Sequence, residues 1–168
     1  MDFYHVSDNY IKFLKSIDDR VRHNKSDQHQ KPYVGVVIQI DDIEYLAPLT
    51  SYKSQQDLIP KDNPTVVKLH AVADEQDKLG LIQLNNMIPI IRSEITKIDF
   101  SLEEEKYRFL LDKQYRFILS KQGKIQKRAK VLRSAIVEKK EPIYTKFNVR
   151  CCDFALLEEK YMGFSGTI

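Results

Sequence analysis

An α+β fold built on an antiparallel, barrel-like sheet is what this sequence predicts, on two observations. Between residues 33 and 100, short β-branched and aromatic runs succeed one another through compact turns, and the segments before and after them place apolar residues at helical spacing. Strands grouped in one stretch with helices outside it favour antiparallel pairing over alternating βαβ units.

The first element is a helix. In SDNYIKFLKSIDDRV, Ser7 reads as the N-cap, and Tyr10, Phe13, Leu14, Ile17 and Val21 share one face. Residues 22–32, RHNKSDQHQKP, lack periodicity and read as a polar loop ending at Pro32. YVGVVIQI (33–40) and IEYLAPLT (43–50) form a hairpin turning on Asp41 and Asp42, and Gly35 marks a bulge or a close backbone approach. TVVKLHA (65–71) alternates, with Val67 and Leu69 on one face and Val66, Lys68 and His70 on the other. LGLIQL (79–84), IPII (88–91) and EITKIDF (94–100) supply further short strands. From Leu102 the period is helical: Tyr107, Leu111, Gln114 and Ile118 make one stripe, Ile125, Ala129, Leu132 and Ile136 another, with a break or kink expected at Gly123. Pro142 ends that run, and DFALLEEKYMGF forms a last helix capped by Asp153. No linker-like stretch divides the chain, so one domain over residues 1–168 is expected.

The balance of 42% apolar and 30% charged residues describes an ordinary folded globule and excludes a disordered chain. The N-terminus has no basic stretch leading into an apolar one, and no apolar run reaches the roughly 18 residues of a membrane span, so a cytoplasmic protein is expected. Cys151 and Cys152 are adjacent, which suits buried packing and neither a normal disulfide nor a zinc site. Charge is unevenly placed. Residues 105–140 hold twelve Lys and Arg against three acids, a net +9 in a chain whose net charge is only +3. Such a field attracts a polyanion, of which nucleic acid is the commonest in cytoplasm.

Most familiar chemistries lack their signatures. His5, His23, His29 and His70 fit no metal-binding spacing, and no phosphate-cradling, dinucleotide or nucleophile-elbow motif occurs. The acidic pairs Asp18-Asp19 and Asp41-Asp42 and the run Glu103-Glu104-Glu105 read as turn formers and helix-start charges. What remains is Thr50-Ser51-Tyr52-Lys53, directly after a strand. Two hydroxyls and an ammonium on a short turn can converge on one phosphate, though the same tetrapeptide also suits a plain surface turn. Tyr10 lies on the apolar stripe of its helix and reads equally as core or as site, while His70 shares a strand face with Lys68 and reads first as structural.

NYIKFL (9–14), YLAPLTSYK (45–53), VKLH (67–70), LGLIQLNNMIPI (79–90) and FALLEEKY (154–161), in this order and spacing, resemble the ToxN/AbiQ family. These are endoribonuclease toxins of type III toxin-antitoxin systems, and the likeness extends over nearly the whole chain. It implies a compact, twisted SH3-like barrel similar to Kid/MazF toxins, with added helices at the N-terminus and in the C-terminal third. It implies cleavage of cellular and phage RNA without a metal or other cofactor, through attack of the 2′-OH, leaving 2′,3′-cyclic phosphate and 5′-OH ends. It also implies inhibition by a small, pseudoknot-like RNA antitoxin whose repeat precursor the toxin processes, a closed protein–RNA assembly, and a role in abortive infection, with no membrane or DNA partner. The family's active-site residues fall on Thr50, Ser51, Lys53, Tyr10 and Lys31. Antitoxin RNA is then expected along the basic helical segment, at Lys113, Arg116, Lys121, Lys124, Lys127, Arg128 and Lys130. A non-catalytic RNA-binding regulatory module is the alternative from another class, and a DNA-binding repressor lacks a recognisable helix-turn-helix.

Overall fold

Ser7 caps the first helix, α1 (Asp8–Ile17), its hydroxyl accepting from the Tyr10 amide at 3.3 Å. The structure, a computed structural model, describes residues 1–22, 25–26, 29–30 and 33–166. Helix α1 stops short of Val21 because Asp18 turns out of it into an extended conformation. The Asp18 carboxylate accepts from the Arg20 amide and Nε and from the Asp153 amide, at 3.1, 2.8 and 2.6 Å. Those donors satisfy a carboxylate only 5% exposed and stitch the N-terminal region to the C-terminal one.

Ahead of α1, Phe3–Val6 forms β1, a strand the local pattern does not reveal. Within the polar loop, Lys25–Ser26 (β2) and His29–Gln30 (β3) pair with each other. The hairpin of β4 (Tyr33–Ile40) and β5 (Ile43–Thr50) turns on Asp41 and Asp42 as the sequence predicts, with Asp41 at φ 51°, a left-handed conformation that Asp tolerates. A Cβ on Gly35 would lie 2.2 Å from Leu46 Cδ2 and 2.6 Å from the Ala47 carbonyl, so this glycine marks the close approach. Then come β6 (Val66–Ala71), β7 (Asp74–Gln83), β8 (Ile88–Pro89) and β9 (Ile95–Lys97). Strand β7 starts five residues before LGLIQL, because its first half is polar and exposed and carries no apolar signal.

All pairings are antiparallel, in the order β6-β7-β5-β4-β1-β9, with β8 beside β5. One edge of β5 is shared. Tyr45 and Leu46 face Pro89 and Ile88 of β8, and Leu49 and Thr50 then face Ile82 and Leu81 of β7.

Helix α2 runs unbroken from Glu105 to Val137, so the break expected at Gly123 does not occur. Gly123 lies on the open side, with nothing within 4 Å of where a Cβ would be, and Phe117, Ile118, Ile125, Ala129 and Leu132 continue one buried face past it. A helical glycine costs about 1 kcal/mol relative to alanine, less than that packing supplies. Polar ties fix the long helix to the sheet: Gln114 Nε2 donates to the Leu79 carbonyl at 2.9 Å and Arg128 Nη1 to that of Val66 at 3.0 Å. Two short helices follow, α3 (Ile143–Phe147) and α4 (Phe154–Lys160), the latter capped by Asp153, whose carboxylate accepts from the Leu156 amide at 3.1 Å. Arg133 of α2 bonds Glu158 of α4 through both carboxylate oxygens, at 2.9 and 2.5 Å, and the Tyr45 phenol of β5 donates to the same carboxylate. Cys151 and Cys152 are fully buried free thiols, both pushed up to about 12 by that burial. Among the described residues no helix is long and apolar enough to cross a membrane.

Candidate nucleic-acid site

Thr50 is the last residue of β5, and Gly80 of β7 crosses directly against it. At φ 126°, a Cβ on Gly80 would stand 1.8 Å from the Thr50 carbonyl oxygen. Only a glycine permits that approach, so Gly80 fixes where the chain leaves the sheet. The buried Thr50 hydroxyl has no hydrogen-bond partner among the described residues. Ser51, Tyr52 and Lys53 lead from it into a 3₁₀ turn, Ser54–Leu58. Gln56 holds the turn through backbone atoms: its amide donates to the Lys53 carbonyl at 2.9 Å, and its Nε2 to that of Ser51 at 3.0 Å. The exposed Lys53 ammonium has no hydrogen-bond or carboxylate partner among the described residues.

Tyr52 turns into a cleft of about 610 Å³ whose floor is β6 and β7 and whose far wall is α2. Lys121, Lys124 and Arg128 line that wall, opposite Lys68 and Lys78. Tyr52, Gln56 and Asp57 and the basic residues of α2, far apart in sequence, thus line a single cleft. Thr50, Ser51 and Lys53 flank the cleft through Tyr52 without forming its lining. Register brings a further cation close: Leu81 pairs with both Thr50 and Lys68, placing Lys68 two strands, about 10 Å, from Thr50. His70 also lines the cleft, edge-on to Phe117 with ring centroids 4.6 Å apart. Its Nδ1 lies 2.8 Å from the Ala71 carbonyl, an acceptor only, so Nδ1 carries the proton in the neutral ring.

The basic residues of α2 are not equivalent. Lys113, Arg116 and Lys130 are paired with Asp77, Asp112 and Asp41, whereas Lys121, Lys124 and Lys127 have no acidic partner among the described residues. Of the seven basic residues expected to hold RNA, those three have neither an acidic partner nor a hydrogen bond to the sheet among the described residues.

Tyr10 is fully buried, set between Phe13 and Phe164, and donates its hydroxyl to the Pro89 carbonyl at 2.8 Å. Burial holds its phenol well above the ordinary value, so it remains a neutral donor, and no hydrogen bond joins it to residues 50–53. This placement makes Tyr10 part of the core. Lys31 lies outside the described residues. Sequence reasoning missed Asp57 and Lys78: Asp57 Oδ2 accepts from Lys78 Nζ at 2.7 Å and from the Tyr52 hydroxyl at 2.8 Å, with Lys78 Nζ 5.4 Å from the Tyr52 ring centroid. Lys78 first, then Tyr52, lowers the Asp57 carboxyl below its usual range, and Asp57 raises Lys78. No local signal announces this group, because it depends on β7 pairing with the end of β5, which sets Lys78 beside the segment that follows Thr50. Among the described residues, no three His, Cys, Asp or Glu side chains gather as a metal-binding group.

Comparison with known proteins covers nearly the whole chain. The family model described as "Toxin ToxN, type III toxin-antitoxin system" matches residues 2–162. Endoribonuclease ToxN of Pectobacterium atrosepticum is 35% identical over 98% of this chain and 94% of its own length. Endoribonuclease AbiQ of Lactococcus lactis subsp. lactis is 31% identical over 97% and 88%. A solved structure described as "A processed non-coding RNA regulates a bacterial antiviral system" superposes with a TM-score of 0.88 at 34% identity, covering 98% of this chain and 99% of that one. Another, of AbiQ, "a lactococcal anti-phage endoribonuclease", gives 0.82 at 30% identity over 99% and 98%. A family model matched over residues 2–162, relatives 35% and 31% identical along nearly the whole chain, and a fold that superposes on their structures lead to one assignment: the chain belongs to the ToxN family of type III toxin-antitoxin systems.

Proposed function

We propose that this chain is an endoribonuclease toxin, inhibited by a small structured RNA, and that the Thr50–Lys53 loop carries its chemistry. The observation that carries the reading is the shared cleft, in which Tyr52 of that loop faces Lys121, Lys124 and Arg128 of α2. RNA supplies its own nucleophile. The 2′-oxygen bonds to phosphorus, the bond from phosphorus to the 5′-oxygen breaks, one proton leaves the 2′-OH and one is delivered to the 5′-oxygen. The protein's share is alignment and charge stabilisation. Lys53 neutralises charge growing on the phosphate, and the Thr50 and Ser51 hydroxyls donate to its non-bridging oxygens. Lys31 and Tyr10 position the strand, Tyr10 from within the core by holding the Pro89 carbonyl.

The sheet is of the SH3-like barrel type of Kid/MazF toxins, in a single domain that works in the cytoplasm on cellular and phage RNA. Antitoxin RNA lies along α2, at Lys113, Arg116, Lys121, Lys124, Lys127, Arg128 and Lys130, in a closed protein–RNA assembly. Protein freed of bound RNA is expected to cut single-stranded RNA in excess EDTA, releasing fragments with 2′,3′-cyclic phosphate ends, and to spare RNA with 2′-deoxyribose at the scissile nucleotide. Activity lost in EDTA and restored by Mg²⁺ contradicts this, and binding without fragments leaves a non-catalytic RNA-binding module.

The helix makes a separate prediction. Replacing Lys121, Lys124 and Lys127 together with Ala removes cations that no acid neutralises among the described residues. Antitoxin affinity should fall, and its log–log salt slope should flatten by up to about 2, at roughly 0.7 for each single-strand phosphate left without its lysine. An unchanged slope in a titration from low to physiological salt places the antitoxin elsewhere.

A further inference from the structure

The Asp57 carboxylate is held as a bound anion would be. Its Oδ2 accepts from Lys78 Nζ at 2.7 Å and from the Tyr52 hydroxyl at 2.8 Å, while Lys68 Nζ reaches the Asp57 carbonyl at 3.4 Å. Folding does not explain the arrangement. The 3₁₀ turn carrying Asp57 buries no residue, the Asp57 and Lys78 side chains are 44% and 37% exposed, and exposed ion pairs stabilise little. All four residues line the cleft whose opposite wall is the basic face of α2. The other carboxylate in the lining, Glu75, is paired with Lys61 at 3.6 Å.

Taking the reading of this cleft as an RNA track, we infer that Tyr52, Lys68 and Lys78 form a phosphodiester-binding subsite, which the Asp57 carboxylate fills in the free protein and an RNA phosphate takes over on binding. A carboxylate and a phosphodiester present the same charge and the same kind of acceptor oxygens to an ammonium and a phenol. Tyr52 lies between Ser51 and Lys53, and Lys68 shares a cross-sheet row with Thr50, so a strand seated here runs past the candidate reacting loop. Tyr52 is 37% exposed, and its ring offers a stacking surface for the adjoining base. Asp57 competes with RNA for these donors, and withdrawal of its carboxylate frees the Lys78 ammonium and the Tyr52 hydroxyl, with Lys68 alongside on the Asp57 carbonyl.

The test measures binding of a fully 2′-O-methylated, single-stranded RNA oligonucleotide, which cannot be cut, to the full-length protein across a salt series. Asp57→Asn and Asp57→Ala should each bind about 5-fold more tightly than wild type, with a salt slope steeper by about 0.7, the share of one further neutralised phosphate. Lys78→Ala should bind more weakly, and adding it to Asp57→Asn should remove the improvement. Unchanged or weaker binding by both Asp57 variants, with circular dichroism and melting like wild type, overturns the subsite. Because binding is read on uncleavable RNA, that outcome is distinct from failure of the wild type to cut ordinary RNA, which bears on the nuclease reading instead.

Discussion

Lys53→Ala should cut single-stranded RNA more slowly than wild type by a factor on the order of 100 or more, as loss of a preorganised charge-stabilising group typically does. Its melting temperature should be unchanged, because the turn is held by the Lys53 carbonyl and not by its side chain, which is exposed. Ser51→Ala should slow cleavage less, since it removes one hydrogen bond and leaves the ammonium in place. In cells without antitoxin, wild type should arrest growth and Lys53→Ala should be tolerated. Single-turnover rates of the purified proteins check the order, and equal rates for Lys53→Ala and wild type return the loop to the status of a surface turn.

Gly80→Ala should damage both the fold and the site. A Cβ there meets the Thr50 carbonyl oxygen at 1.8 Å, and φ of 126° is strained for any other residue. Backbone cannot yield as a flexible side chain can, so β5 and β7 must separate where Leu49 and Thr50 pair with Ile82 and Leu81. A loss of about 3 kcal/mol, or a fall of roughly 10 °C in melting temperature, is expected, with cleavage falling because Thr50 and Ser51 move. Gly123→Ala is the control. Its Cβ meets nothing within 4 Å in mid-helix, and it should stabilise by about 0.5–1 kcal/mol. Thermal melts of the two variants should therefore shift in opposite directions.

Short-range chemistry made parts of this molecule legible. The Asp41-Asp42 turn, the Ser7 and Asp153 caps and the close approach at Gly35 each depend on a few neighbouring residues, and each is found where the residues place it. Strand β1 escaped because four residues before a helix give no period to count, and the polar half of β7 escaped because hydrophobicity is silent there. Gly123 misled for the opposite reason: a local breaker was outweighed by a buried face continuous on both sides of it. The basic segment was visible as composition, but which of its lysines stay unpaired is set by Asp77 and Asp41, distant acids that only the fold brings alongside. The Tyr52–Asp57–Lys78 group likewise depends on the pairing of β7 with the end of β5, which sets Lys78 beside the loop. Tyr10 suited both core and site in the sequence, and the fold adds that its ring is buried and its hydroxyl lies on the Pro89 carbonyl.

That the Thr50–Lys53 loop cuts RNA, rather than merely holding it, is tested most directly by measuring binding and cleavage of the same antitoxin precursor RNA by Lys53→Ala and wild type side by side. Affinity within a few-fold of wild type together with a cleavage rate reduced on the order of 100-fold is the expected result. A Lys53→Ala protein that cuts at the wild-type rate, or whose cleavage falls only as far as its binding does, contradicts the account.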